Sequence, residues 1–221
     1  MSLFTRNLLI ALSITSAIVG TVFLSINYLN SLRVAELTTI EDQLSIDTIS
    51  LDTQFSLLET APCDSIASST TLTSELSDLG NRLVYAENQL GTDNPQVVRL
   101  KKQYSLLEIR DYIITKQIAA TCGTKPVTVL YFYSNTSACV DCDKAGYALS
   151  YLRDTYPTLR VYSFDYNLDL GALKTLIALT KVSGGFPAFV VNGKHSYGFT
   201  SLEDLEKLFP KGALATSTTA Q

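Results

Sequence analysis

Four cysteines carry the clearest chemistry in this chain of 221 residues: Cys63, Cys122, Cys139 and Cys142. The last two frame Cys139-Val140-Asp141-Cys142, behind a β-branched and aromatic run from Val127 to Tyr133 and ahead of an amphipathic run from Ala145 to Leu152. Thiols at that spacing at the start of a helix face each other across one turn and can close a disulfide. The unpaired N–H groups of a helix start favour a thiolate, most of all the one nearer the end. Cys139 is therefore expected to attack, and Cys142, one turn in and more buried, to resolve a mixed disulfide. Asp141 sets a negative charge beside both sulfurs, which should raise the Cys139 pKa relative to a neutral residue and favour the disulfide form.

Other chemistries have less support. A C-x-x-C can be half of a zinc site, but zinc needs four ligands, and only Cys63, Cys122 and the lone His195 remain to complete it. His195 follows Gly193 in a turn, where a surface role is the plainer reading. Catalytic triads, phosphate-cradling glycine loops and paired catalytic carboxylates are not visible, and nothing calls for a cofactor. Gly184-Gly185 reads as backbone freedom ahead of Pro187. The net charge is −4, and no basic stripe appears, which argues against nucleic-acid binding.

The elements that must position the cysteines begin with an apolar run. Asn7 to Leu32 holds no charged residue, and Leu8–Leu29 would span roughly 33 Å as a helix, enough for a bilayer core of about 30 Å. Ser25-Ile26-Asn27-Tyr28-Leu29 is a poor cleavage site, so residues 8–29 read as an uncleaved signal-anchor. Basic residues nearly tie across the span, Arg6 before it and Arg33 after it. The cysteines break the tie: they suit an oxidising compartment, which puts residues 1–7 in the cytoplasm and the body on the periplasmic or other outer side.

Residues 30–62 follow as an acidic, amphipathic stalk helix, with six acids and no base from residue 34 onward. Leu37, Ile40, Leu44, Leu51, Phe55 and Leu58 recur at helical spacing. The stalk is either a solvated spacer with one packed face or a parallel coiled coil pairing two copies as a homodimer, although Asp47 then falls on the seam. Ala61-Pro62 stops it. Two helical runs, Leu72–Leu90 and Gln96 to about Thr121, flank the turn Gly91-Thr92-Asp93-Asn94-Pro95 and predict an antiparallel αα-hairpin over 63–122. Cys63 and Cys122 lie about equally far from that turn, so a disulfide would clamp the hairpin's open end. Two unrelated thiols, or a pair exchanging electrons with Cys139 and Cys142, stay open.

From Lys125 the pattern alternates. Strands are expected at Val127–Ser134, Leu159–Asp165, Ala188–Val191 and His195–Phe199, and helices at Cys139 to about Asp154, Leu168–Lys181 and Leu202–Phe209. The order is β-α-β-α-β-β-α, and residues 210–221 read as a disordered tail. With the Cys139–Cys142 unit and Val182-Ser183-Gly184-Gly185-Phe186-Pro187 before the third strand, residues 126–209 resemble the thioredoxin-like superfamily.

The resemblance implies an α/β domain, a cis peptide bond before Pro187 and a substrate ledge at Phe186 and Pro187 beside the cysteines. It also implies a protein-disulfide oxidoreductase whose partners are protein thiols and disulfides, with a membrane-embedded redox partner compatible with the anchor. Two departures stand out. Ala138 occupies the place where relatives commonly carry Trp, and Tyr131 stands nearest the buried acid of thioredoxins proper. The alternative is a non-catalytic thioredoxin-like interaction module of a membrane complex.

Overall fold

The computed structural model describes residues 3–63, 71–135, 139–156 and 158–210, with 212 and 214. Helix α1 is Leu3–Thr60. The chain divides into two compact units, Met1–Ile46 and Asp47–Gln221. In the first unit, Ile10–Leu32 is long and apolar enough to cross a membrane, with a mean hydropathy of 1.8 and none of that window buried. Its polar side chains return their donors to the helix: Thr15 Oγ1 to the Ala11 carbonyl (2.9 Å), Ser25 Oγ to Thr21 (2.8 Å) and Asn27 Nδ2 to Phe23 (3.1 Å). Such self-satisfied groups are what a hydrocarbon environment requires. The expected seam positions Leu37, Ile40, Leu44 and Asp47 carry side chains outside the described ones.

In the second unit the end of α1 packs on the hairpin. Leu51 and Phe55 are fully buried, Gln54 Nε2 donates to Glu75 Oε2 (2.7 Å), and Arg110 pairs with Asp52 while lying over the Phe55 ring. Helices α2 (Thr71–Leu90) and α3 (Pro95–Cys122) are the hairpin's arms. Asn94 caps α3 by accepting from Gln96 N (2.9 Å), with Pro95 in the first turn, where its missing N–H costs nothing. Leu76, Leu79, Leu83 and Ala86 bury one face of α2. A Cβ on Gly80 would lie 2.8 Å from the Tyr104 hydroxyl, so glycine is what lets the two arms close up there.

Strands β1 (Val127–Tyr133), β2 (Leu159–Asp165), β3 (Ala188–Val191) and β4 (Lys194–Tyr197) form one sheet in the order β2-β1-β3-β4. β1 and β2 are parallel; β1 with β3, and β3 with β4, are antiparallel. Helices α4 (Cys142–Thr155), α5 (Gly171–Thr180) and α6 (Leu202–Glu206) complete the alternation. Successive β1 side chains point to opposite faces, and both faces are covered. Leu130 and Phe132 join Phe164, Leu173, Leu176 and Ile109, while Val129 and Tyr131 join Ala145, Leu149, Leu152 and Leu205. Burying one such Phe or Leu is worth about 1.5–3 kcal/mol, which makes this central strand the hub of the unit. β3 and β4 meet at Asn192 and Gly193, both at positive φ, the conformation of a two-residue hairpin turn.

Several boundaries differ from the sequence expectation. The helix expected from Cys139 starts at Cys142, because Asp141 holds the N-cap position at φ −109° and its carbonyl accepts from Ala145 N. The helix expected from Leu168 starts at Gly171: Leu168 and Leu170 make a turn back to Asp165 and Leu168, and Leu170 is extended. β4 ends at Tyr197, since Gly198 has φ +78°. The last helix ends at Glu206 and runs on as turns to Phe209.

The hairpin lies against β2, an edge strand whose outward N–H groups need cover. Contacts along α3 run opposite to β2: Lys101 reaches Asp165, Glu108 reaches Ser163, and Thr115 reaches Tyr162. The start of α3 therefore lies at the end of the sheet where β1 and β2 finish, and Cys122 beyond the end where they start.

Candidate functional site

Cys139 and Cys142 form a disulfide with a Cα–Cα distance of 5.5 Å. Cys142 opens α4 and is buried, 6% exposed, while Cys139 precedes the helix and is half-buried. Val140 between them is 84% exposed, so the link joining the pair lies at the surface. The two cysteines thus differ in exposure, as an attacking and a resolving thiol would require. The Asp141 side chain makes no capping bond to the helix; its Oδ1 accepts from Lys144 Nζ at 2.9 Å, which offsets its charge near the sulfurs. Ala138 lies outside the described residues.

Tyr131, on β1 beneath the helix start, is buried and stacked between Tyr133 and Phe189. Its hydroxyl donates to the Cys142 carbonyl at 2.6 Å. Burial first, and Asp143 second, raise the phenol's pKa, so it remains a fixed donor. A base that could take a Cys142 proton is therefore not supplied from Tyr131; the residue holds the Cys142 backbone instead. Sequence reading had marked the position, but the carbonyl it grips became visible only in three dimensions.

The Phe186–Pro187 peptide bond is cis. Phe132 pairs with Ala188 at the end of β1, so Pro187, one residue earlier, stands at the same end of the sheet from which the chain leads to Cys139. Phe186 is half-buried against Tyr166, ring centroids 4.8 Å apart, and Val98 of α3 packs on the same cluster. The topology thus gathers Cys139, Cys142, Phe186 and Pro187 at one end of the sheet.

Sequence reading missed the charges buried beside that end. Lys101, 2% exposed, pairs with Glu87 (2.5 Å) and Asp165 (3.3 Å). Asp165 also accepts from Asn135 Nδ2 (3.1 Å) and Asn167 N (3.1 Å), and Ser134 Oγ donates to Asn167 Oδ1 (2.7 Å). One network therefore joins both hairpin arms to β2 and to the segment leaving β1. A buried lysine needs such partners, and a lysine near the start of a helix was the only sequence signal.

Cys63 and Cys122 form the second disulfide, Cα–Cα 5.6 Å across 59 residues of separation. Cys122 lies past the Val127 end of β1 and Cys139 past its Tyr133 end, so at ~3.3 Å per residue the strand alone keeps them roughly 20 Å apart. In this structure that separation keeps the two disulfides out of direct contact. His195 is on β4, and among the described residues no three His, Cys, Asp or Glu side chains gather as a metal site. A cleft lined by Leu76, Tyr104, Glu108, Asp111, Arg153 and Arg160 sits over the start of β2, away from the cysteine pair.

No family model matches this chain, and no curated protein matches it. Among solved structures, the crystal structure of thioredoxin O2 from Arabidopsis thaliana in the oxidized state is similar at 21% identity, covering 44% of this chain and 84% of that one, with a TM-score of 0.34. A likeness so slight carries no weight for the site, whose chemistry rests on this chain's own geometry.

Proposed function

We propose that this chain is a membrane-anchored thiol–disulfide oxidoreductase that acts on protein cysteines outside the cytoplasm. Residues 8–29 are the anchor and residues 126–209 the working domain. The observation that carries the reading is the asymmetry of the cysteine pair: one sulfur half-buried before a helix, its partner buried in the first turn. In the reduced form the Cys139 thiolate attacks a substrate disulfide, and the substrate's other sulfur leaves as a thiolate. Cys142 then displaces the substrate from Cys139, so two electrons pass to the substrate and the Cys139–Cys142 bond closes. Run backwards, the same steps oxidise a substrate dithiol, and the partner's potential sets the direction.

Phe186 and Pro187 would hold an extended substrate segment beside Cys139, and Cys63–Cys122 would be structural, closing the base of the hairpin. The anchor suits a membrane-embedded partner that renews the pair's redox state. Expressing the full chain with Cys142→Ser tests this reading: a mixed disulfide on Cys139, dissolved by reductant and absent when Cys139→Ser is added, is expected. Disulfide reduction by the wild-type chain should vanish in Cys139→Ser. No disulfide reduction by the wild-type chain and no trapped species would instead favour the interaction-module reading.

A further inference from the structure

The segment that delivers Phe186 and Pro187 is tied down from an unexpected side, the outer edge of the sheet. Helix α5 ends with Lys181 in the left-handed region at φ +57°. Val182 N then donates to the Ile177 carbonyl and Lys181 N to the Ala178 carbonyl, both at 3.3 Å. That closing motif satisfies two of the final carbonyls and leaves the last one, on Thr180, to find a donor elsewhere. His195 of β4 supplies it, with Nε2 2.6 Å from the Thr180 oxygen. A carbonyl only accepts, so Nε2 carries the proton.

Two residues along the same strand, the Tyr197 hydroxyl meets Ser183 at its backbone N (3.4 Å) and its Oγ (3.3 Å). The Tyr197 ring lies 3.6 Å from where a Cβ on Gly185 would be, and Gly185 has φ +128°. The stack is completed by His195 and Tyr197 themselves, whose rings are nearly parallel, 8° apart in tilt at 6.4 Å. Both side chains stand on an exposed edge strand, where no burial requirement explains them. What they do share is a target: the stretch from Thr180 to Gly185, whose two glycines would otherwise leave it free to move.

We infer that His195 and Tyr197 are positioning residues for the substrate ledge, clamping residues 180–185 to β4 so that Phe186 and Pro187 are presented in one geometry. The inference rests on the oxidoreductase reading above and deepens it by naming what sets recognition of an extended protein segment. Neither residue touches the reacting sulfurs. Their loss should weaken holding of a protein substrate without slowing chemistry at Cys139.

The test compares two disulfide probes on the full chain in detergent: insulin with dithiothreitol supplying electrons, and a small disulfide mixed in a single turnover with chain that has been reduced and freed of dithiothreitol. Insulin offers an extended backbone; 5,5′-dithiobis(2-nitrobenzoic acid) is a small disulfide with none to hold. In the His195→Ala, Tyr197→Phe double variant, KM for insulin is expected to rise about three- to tenfold with kcat within about twofold. The rate with the small probe should stay unchanged. Restoring a donor with His195→Gln, alongside Tyr197→Phe, should recover part of the KM.

An unchanged insulin KM would overturn the clamp. So would an equal loss on both probes accompanied by a lower melting temperature, which would mark the two residues as structural only. Failure of the wild-type chain on both probes would overturn the oxidoreductase reading itself, a result distinct from the other two.

Discussion

Asp141 lies between two sulfurs, and its charge is not free to act on them alone. Its bond to Lys144 puts a cation beside it, yet both side chains remain substantially exposed, 40% and 71%, so the pair's influence is screened. Replacing Asp141 with Asn removes a negative charge near Cys139, favours its thiolate and makes the pair more oxidising; Lys144→Met acts in the opposite sense. Exposed pairs are worth ~0.2–1 kcal/mol, so each change should move the reduction potential by roughly 5–20 mV, read by equilibration against glutathione. A shift of the same sign in both variants would show that side-chain charge is not what tunes the pair. At this scale the sequence was most legible where chemistry is local. Cys139 and Cys142 are three positions apart and announce themselves. Tyr131 and Cys142 are joined by one hydrogen bond across the turn between strand and helix, and His195 meets Thr180 across fifteen residues. Spacing along a chain has no way to encode partners that only a fold brings together.

Helix α3 was legible as one arm of a hairpin but not as the cover of a sheet edge. Its apolar stripe, Val97, Leu100, Leu107 and Ile114, is buried as helical periodicity implies, and so are Lys101, Ser105, Glu108 and Asp111, which helical spacing sets on or beside that stripe but whose polarity would suit water. The reason is β2. At the sheet's edge Ser163 N has no strand to pair with, and both Glu108 oxygens accept from it at 3.0 and 3.2 Å. Burial raises the Glu108 pKa well above the usual carboxylate value, outweighing the bonds from Ser163 and Tyr104; Asp111 is raised too, again chiefly by burial. An acid whose folded pKa exceeds its unfolded one contributes stability that is complete below the unfolded value, about 4.3, and is lost as pH climbs through the folded one. The melting temperature should therefore fall as pH rises from about 4.5 toward 8. In Glu108→Gln, which keeps an acceptor for Ser163 N, that fall should be smaller, with Asp111 supplying what remains. An equal slope in both proteins would remove Glu108 as its source. Strand and helix identities followed from composition, whereas the starts of α4 and α5 did not. Those depend on Asp141 and Leu170 taking non-helical backbone angles, which residue type alone does not dictate.

For the molecule as a whole, the proposed anchor would set the cysteines on one side of a membrane, and the flanking charges do not decide which. Arg6 and Arg33 flank the apolar span almost symmetrically, and the acids that follow carry little weight in orientation. Disulfide chemistry can decide it. A cytoplasm keeps thiols reduced, whereas Cys63 and Cys122 are bonded in the structure at the far end of the sheet from Cys139 and Cys142. The two pairs should behave differently in a cell if the body lies outside. On the proposed reading Cys139–Cys142 would cycle with its partners, its thiols appearing and vanishing, whereas Cys63–Cys122 would close a long loop, contribute about 2–4 kcal/mol and stay shut. Acid-quenched cells, alkylated with a maleimide carrying a polymer tag, should therefore give full-length chains bearing no tags or two, never four. The two should disappear in the Cys139→Ser, Cys142→Ser variant. Chains with four tags before any reductant is added would put the body in a reducing compartment and reverse the orientation. The redox pair is no guide on this point, since an exchanging disulfide can be open on either side; the clamp at the hairpin's base is the reporter.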